Sequence, residues 1–433
     1  MQPVTYVRSK AARLMSSAGL LHFRQARARL QRRLAGTPPT VHYFHQVDDP
    51  YSHLAVQKLD QLRANYTLPF AIHLVSAPAS EFRGSSEHFD DWALRDAQSI
   101  AEAYGATLEV RVEPDLAAVH GANSLLAGLL SDADFADKAF EVGAALWAGQ
   151  SFDTGPGNMG AQAVAAGNAL RASLGHYQGA MFYFDGEWFW GIDRIRSLEM
   201  RLRREGFAER PDGLCVPEPK PVDTTGINAS DVVLEYFPSL RSPYTAIGHQ
   251  RVLDLIERSG VTVKLRPVMP MLMRGIPAPR EKQFYIISDA GREARERGIP
   301  FGIIVDPFGE PVKRAFALFP AAVKLGRGMA FVTAYLNASW VEGVDIADTK
   351  NSGLRQVAAS AGLEWDTLVA ATEDTDWEAV LDDNLNAMLG AGLWGVPSFR
   401  VSGGNDAAAY SCWGQDRIWR VENEIARRVA GPL

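Results

Sequence analysis

The stretch V-V-L-E-Y-F-P-S-L-R-S-P-Y-T-A-I-G, Val232 to Gly248, decides how this chain is read. Its largely apolar start reads as a buried strand. Ser242-Pro243 then places a helix-capping residue ahead of the residue best suited to a first helical turn. An earlier stretch, V-H-Y-F-H-Q-V-D-D-P-Y-S-H-L-A, Val41 to Ala55, has the same parts in the same order, with Asp49 in place of Ser242. Each runs strand, cap, proline, tyrosine, hydroxyl residue.

Further matches follow in register. F-W-G-I-D-R, Phe189 to Arg194, answers C-W-G-Q-D-R, Cys412 to Arg417. A-L-R-D-A answers I-I-S-D-A, setting Asp96 against Asp289, each about 45 residues after its P-Y tyrosine. Three ordered matches point to a tandem duplication. In each half the strand (41–45; 231–237) leads into a helix from the proline, ended by Asn65 or Gly260. A second strand (69–75; 261–266) returns, so the unit is βαβ and its strands are parallel. Alanine-rich helical inserts occupy about 86–173 and about 281–391. The halves close with M-F-Y-F, E-W-F-W and a helix carrying Ile195, Leu198 and Leu202, and with S-F-R-V, A-A-Y-S and a helix from Asp416 to a stop at Gly431-Pro432. D-G-E at 185–187 is a hairpin turn. The expected fold is α/β: two thioredoxin-like domains, each βαβ–helical insert–ββα with an inserted helical subdomain. The expected divisions are a basic helical extension (1–39), a first domain (40–205), a Pro-rich linker (206–229) and a second domain (230–433).

A chain of 433 residues exceeds one ordinary core, and 47% hydrophobic with 22% charged residues is normal for a globular protein. No run of about 18 apolar residues is present, so no membrane span is expected. The net charge of −7 argues against nucleic acid as a partner. Residues 1–39 hold eight Lys/Arg and no Asp/Glu, which leaves −15 on the remainder. This segment fits an amphipathic helix on an anionic surface, an organelle transit peptide or, the reading favoured here, a helical arm packed on the acidic body. Cys215 and Cys412 form no C-x-x-C and no metal spacing, which fits a cytoplasmic protein without structural disulfides. His42 and His45 fall on opposite strand faces and share no metal.

Together, Y-F-P-S-L-R-S-P-Y-T, R-P-V-M-P-M-L, G-V-P-S-F and C-W-G-Q-D-R resemble the DsbA-like family that contains 2-hydroxychromene-2-carboxylate isomerase and the kappa-class glutathione transferases. The resemblance covers residues 230–430 well and 40–205 more weakly. It implies glutathione as cosubstrate or thiol cofactor, a conjugated or aromatic substrate, isomerase or transferase chemistry, and no metal. It implies that Ser242 hydrogen-bonds the glutathione sulfur, that Val396 pairs its backbone with the peptide, that Pro397 is a cis-proline, and that Gln415 and Asp416 reach the γ-glutamyl end. Tyr244, Met271 and Met273 are the candidate walls of the substrate pocket. The family's G-N after R-P-x-L is replaced here by M-R-G-I-P, Met273 to Pro277. Two alternatives stand beside this reading. One is a DsbA-like thiol oxidoreductase by fold, against which the missing C-x-x-C argues. The other is a non-catalytic binding protein whose copies pack as an internal pseudo-dimer.

Capping alone explains Ser242-Pro243. The same geometry is also an anion site, because orphan N–H groups and the helix dipole favour negative charge. A thiol with an ordinary pKa of about 8.5 is acidified there. A hydroxyl can donate to sulfur, and Arg241 adds positive charge nearby. Asp49 is an acceptor only and repels a thiolate about 4 Å away by roughly 1–4 kcal/mol. Aligning M-F-Y-F-D-G with S-F-R-V-S-G sets Ala180 opposite Pro397, so the first copy reads as having lost the site. Met269, Met271, Leu272 and Met273 read as core or as a pocket wall. Asp193 and Asp416 read as caps as well. Cys412 is expected to be buried, and Cys215 to be an exposed thiol in the linker.

Overall fold

The computed structural model describes residues 2–84, 86–153, 158–210 and 213–430. It divides into two compact units, one built on residues 21–219 with 279–282 and the other on 1–20, 220–278 and 283–433. The basic extension is therefore not one piece. Helix α1 (Pro3–Ser16) belongs to the C-terminal unit, where Arg13 Nε donates to the Ile304 carbonyl at 2.8 Å and Ser9 Oγ accepts from the Asp306 N–H at 3.0 Å. Most of α2 (Ala18–Leu34) belongs to the N-terminal unit, where Arg29 and Arg32 pair with Glu205 and Asp185 at 2.8 and 3.0 Å.

The N-terminal unit runs β1 (Val41–His45), α3 (Pro50–Val56), α4 (Leu59–Asn65) and β2 (Phe70–Leu74), then helices α5 (Ser80–Arg83), α6 (Ser86–Ala101), α7 (Leu116–Ala127), α8 (Phe135–Ala148) and α9 (Met159–Ser173). It closes with β3 (Met181–Phe184), β4 (Glu187–Trp190) and α10 (Ile195–Arg204). The sheet order is β2-β1-β3-β4, with β1 and β2 parallel and the other neighbours antiparallel. Asp185 and Gly186, with φ of +34° and +84°, make the tight hairpin turn expected of D-G.

The C-terminal unit repeats the scheme with β5 (Val232–Phe237), α11 (Pro243–Ser259), β6 (Thr262–Leu265), insert helices α12 (Arg280–Glu296), α13 (Glu310–Lys324), α14 (Gly328–Asn337), α15 (Ser352–Ser360), α16 (Trp365–Ala370) and α17 (Trp377–Gly390), then β7 (Ser398–Gly403), β8 (Asp406–Trp413) and α18 (Ile418–Ala430). Its sheet order is β6-β5-β7-β8, with the same pattern of directions. Leu234, Tyr236, Phe399 and Val401 from the sheet form one core with Val252, Leu255, Val421 and Ile425 from the helices. The expected stop at Gly431-Pro432, like Pro211 and Asp212 of the linker, lies outside the described residues.

Two side-chain contacts recur at matching positions, and the second accounts for the tyrosine-to-aspartate interval shared by the two halves. Tyr43 stacks on its register partner Phe182 at 4.6 Å, and Tyr236 on Phe399 at 5.5 Å. Tyr51 Oη donates to Asp96 at 2.6 Å, and Tyr244 Oη donates to Asp289 at 2.8 Å. Both aspartates are buried, so the tyrosine at the helix start anchors a carboxylate on the insert.

The structure also departs from the expected helix boundaries in the N-terminal unit. The helix expected over 50–65 is broken into α3 and α4. The Gln57 amide is held by the Thr107 backbone, with both bonds at 2.9 Å, and Lys58 Nζ donates to the Gly105 carbonyl at 2.7 Å, which turns the chain between the two helices. The linker is not a free tether. Glu199, fully buried in α10, accepts from the Cys215 and Val216 N–H groups at 2.7 and 2.8 Å. Farther along, Val222 N–H donates to Asn423 Oδ1 at 2.8 Å, and Thr224 Oγ1 donates to buried Glu422 at 2.5 Å. The histidines of β1 do part, as expected: His42 stacks on His73, while His45 meets Tyr43 Oη at 3.0 Å on the other face.

Tyr51→Phe and Tyr244→Phe each remove a donor from a buried carboxylate. Each should lower the stability of its unit by about 1–3 kcal/mol, read as a lower urea midpoint at constant slope. Unchanged midpoints for both variants would show that the pair contributes nothing.

Candidate active site

The site begins with a helix whose first turn is half-buried. Four amide N–H groups at the start of α11 have no partner within the helix. Ser242 has extended backbone (φ −103°, ψ 120°) and its Oγ accepts from the Thr245 N–H at 3.1 Å, an N-cap in the ordinary sense. Its hydroxyl proton remains to be placed. It points to the Val396 carbonyl over a long 3.4 Å. The Val396–Pro397 peptide is cis, and the Pro397 carbonyl accepts from the Gly414 N–H at 2.9 Å. Helix start, cis-proline loop and the W-G-Q-D-R turn thus meet through named bonds. Thr245 Oγ1, fully buried, accepts from the Ser239 N–H at 3.3 Å and fixes the loop entering the helix.

Other expected residues sit differently. Arg241 offers no spare charge, because Asp306 takes its guanidinium in a two-point pair at 2.6 and 2.8 Å, and the ring of Phe308 lies 4.8 Å away. Gln415 is only 1% exposed, and its amide accepts from Arg251 and donates to Asp416 and Glu293, so it orients half-buried Asp416 rather than presenting a free face. Asp193 and Asp416 lie inside 3₁₀ turns (Ile192–Arg194; Gln415–Arg417), not at the residue before the α-helix, and Asp193 accepts from Tyr104 Oη at 2.9 Å. The Tyr244 hydroxyl is committed to Asp289. Met273 packs against the core of the helical insert, and Met271 is half-buried in the turn Met271–Arg274.

Arg274 was not singled out by sequence reasoning. Its Nε donates to the Met269 carbonyl at 3.0 Å and its Nη2 to the Trp394 carbonyl at 2.9 Å, tying the methionine loop to the chain two residues before Val396. Burial lowers its pKa to about 10, so it stays cationic near neutrality. The available signal was one arginine in the apolar run M-P-M-L-M-R. Behind α11, burial holds His249 down to about 4, and its ring joins Tyr236 Oη and Thr333 Oγ1 at 3.1 and 2.8 Å. Cys412 is buried, as expected. Cys215 is not an exposed thiol but half-buried, and burial, reinforced by Glu199, pushes it up to about 12. Among the described residues no group of three or more His, Cys, Asp or Glu could hold a metal ion.

The matching place in the N-terminal unit is built for another purpose. Asp49 caps α3, its Oδ2 accepting from both the Ser52 N–H at 2.9 Å and the Ser52 hydroxyl at 2.8 Å. Ser52 Oγ in turn accepts from the Gln46 N–H at 3.1 Å, the bond that Thr245 makes to Ser239 in the other unit. Burial raises the Asp49 carboxyl to about 6. Gly179 and Ala180 occupy the places of Val396 and Pro397, and Ala180 C=O accepts from the Gly191 N–H at 2.8 Å. Ala180 has φ +52°, in the left-handed region.

Residues 233–426 match the family model of the DSBA-like thioredoxin domain. Solved structures with a similar fold include 2-hydroxychromene-2-carboxylate isomerase (20% identity, 45% of this chain, 95% of that chain, TM-score 0.36). They also include the cytosolic disulfide reductase DsbM from Pseudomonas aeruginosa (22%, 46%, 99%, 0.35) and a thioredoxin-like oxidoreductase from Silicibacter pomeroyi DSS-3 (19%, 46%, 89%, 0.30). No curated protein matches the chain.

The Asp49 carboxyl is more basic folded than unfolded, so its contribution to stability falls as pH rises from about 4 to about 6. Buried His45, His53, His73 and His176, held down to between about 3 and about 4, contribute in the opposite direction as pH rises. Subtracting the stability of Asp49→Asn from that of wild type removes the histidines. That difference should fall by on the order of 2 kcal/mol between pH about 4 and about 6.5. A flat difference would mean that Asp49 is solvated.

Proposed function

We propose that the DSBA-like thioredoxin domain at 233–426 binds glutathione as its thiolate at the start of α11 and uses it to isomerise, or transfer it to, a conjugated or aromatic small molecule. The observation that carries this reading is the divided use of Ser242. One lone pair of Oγ is spent on the cap, while the proton is held only by a 3.4 Å contact to the Val396 carbonyl. A sulfur at the helix start would accept that proton, and the 17-residue helix adds its dipole. Bound glutathione supplies a nucleophile that adds to a conjugated system and leaves again, or stays. The chain supplies the hydroxyl, the backbone of Val396 for an extended peptide, and Asp416, oriented by Gln415, for a cationic amino group.

Disulfide exchange by this domain would need a thiol at the helix start, and positions 242–245 are Ser-Pro-Tyr-Thr. The N-terminal unit serves in this reading as a degenerate copy, since a buried carboxylate replaces the hydroxyl.

Ser242→Asp separates capping from thiolate binding, because aspartate caps the corresponding helix at position 49. Calorimetry should show wild type binding glutathione, and Ser242→Asp folding normally but binding at least about tenfold more weakly. S-methylglutathione, which has no thiolate, should bind wild type more weakly than glutathione does. No heat with wild type at about 10 mM glutathione, or equal binding by the variant, would overturn the reading.

A further inference from the structure

The two N-terminal helices are packed inside out. The face of α1 that packs on its unit is small and mostly polar: Thr5, Ser9, Ala12 and Ser16 are buried. The opposite face is apolar and open, with Val4 60%, Val7 65% and Leu14 58% exposed. At about 100° per residue these three, with exposed Ala11 between them, share one stripe. Exposed Arg8 and Lys10 lie about 80° to either side of it. Close approach explains the buried face: Ser9 Oγ accepts from a backbone N–H, and a Cβ on Gly291 would come within 2.6 Å of the Ser16 carbonyl. It does not explain the outer one.

Helix α2 shows the same inversion in its own unit. Gln25 is its buried residue and donates to Glu187 at 2.9 Å, while Phe23, Leu30 and Leu34 are 63%, 57% and 81% exposed. These three also fall on one stripe, with exposed Arg27 about 40° from its centre on one side and exposed Arg33 about 80° from it on the other. Single exposed apolar residues are ordinary on any surface. Two stripes on consecutive helices, in a segment with eight Lys/Arg and no Asp/Glu, are not. No helix among the described residues is long and apolar enough to cross a membrane.

We infer that α1 and α2, each within its own unit, are interfacial anchors: the outward apolar stripe of each enters the headgroup region of an anionic lipid surface, while Arg8 and Lys10 beside the first and Arg27 and Arg33 beside the second meet its phosphates. Charge selects this occupant. The helices offer cations beside each stripe, and the surface that complements such a face is both apolar and negative. Arg13, Arg29 and Arg32 are bound to the Ile304 carbonyl, Glu205 and Asp185 and are not required. Arg8 lies over the Phe308 ring at 5.0 Å and Lys10 over the Tyr6 ring at 5.4 Å, and both side chains are still exposed.

Vesicle flotation of the full chain tests this. Wild type should float with vesicles of equal phosphatidylglycerol and phosphatidylcholine, remain behind with pure phosphatidylcholine, and lose most binding in about 0.5 M salt. Two combined variants should each bind at least about tenfold less: Val4→Ser with Val7→Ser, Leu14→Ser, Phe23→Ser, Leu30→Ser and Leu34→Ser; and Arg8→Gln with Lys10→Gln, Arg27→Gln and Arg33→Gln. Unchanged circular dichroism and urea midpoints establish that both are folded. If the apolar variant is unfolded, the charge variant decides. Failure of wild type to float, equal flotation with neutral vesicles, or retained binding by a folded variant overturns the inference. So does a wild-type dimer in size-exclusion chromatography with light scattering that the apolar variant abolishes, since a second copy then covers the stripes.

Discussion

The first amide N–H groups of a helix have no partner within its own turns, and in each unit the residue before the proline supplies an acceptor to one of them. Everything near the candidate site is arranged around that need. Pro243 fits the first turn, where an N–H is not missed. Ser242 supplies the acceptor, Thr245 and Ser239 brace the loop behind it, and the cis-proline loop closes over the hydroxyl. In the N-terminal unit Asp49, Ser52 and Gln46 take the same three places. The cap recurs in both units, and only at position 242 does the capping group carry a hydroxyl proton.

That difference governs the electrostatics of the two sites. A buried carboxylate at 49 brings its own charge into the space that the dipole would offer to an anion, and the protein responds by making the group harder to ionise. A hydroxyl at 242 brings no charge. The neighbouring cation that might have biased the second site, Arg241, is neutralised by Asp306. Any anion preference at the second site therefore draws on the helix start and the hydroxyl rather than on Arg241.

Much of this was legible in the sequence because the fold repeats. Strands β1, β3, β4 and β5 lie within a residue of where the apolar runs put them, and the 45-residue interval from Tyr51 to Asp96 and from Tyr244 to Asp289 is a hydrogen bond in each unit. What was not legible depends on long-range partners. The break between α3 and α4 is made by residues 105–107, about fifty positions away. The anchoring of the linker depends on carboxylates in α10 and α18 that read as ordinary polar faces of amphipathic helices. Arg274 reads as an exposed charge until its two carbonyl partners are known. Periodicity reports which face of an element is buried, and it carries no information about which distant backbone group a long side chain will find.

Gly179 limits what the loop above Asp49 can carry. A side chain there would bring its Cβ within 2.8 Å of Gln46 Cβ and 3.4 Å of Asp49 Oδ2. The position that holds Val396 in the other unit is thus closed to any L-residue while Gln46 stands where it does. Replacing Asp49 with serine alone would leave this steric block in place, because the nearest obstacle is the Gln46 side chain. A larger residue at 179 and the present Gln46 exclude one another, so the two positions must change together.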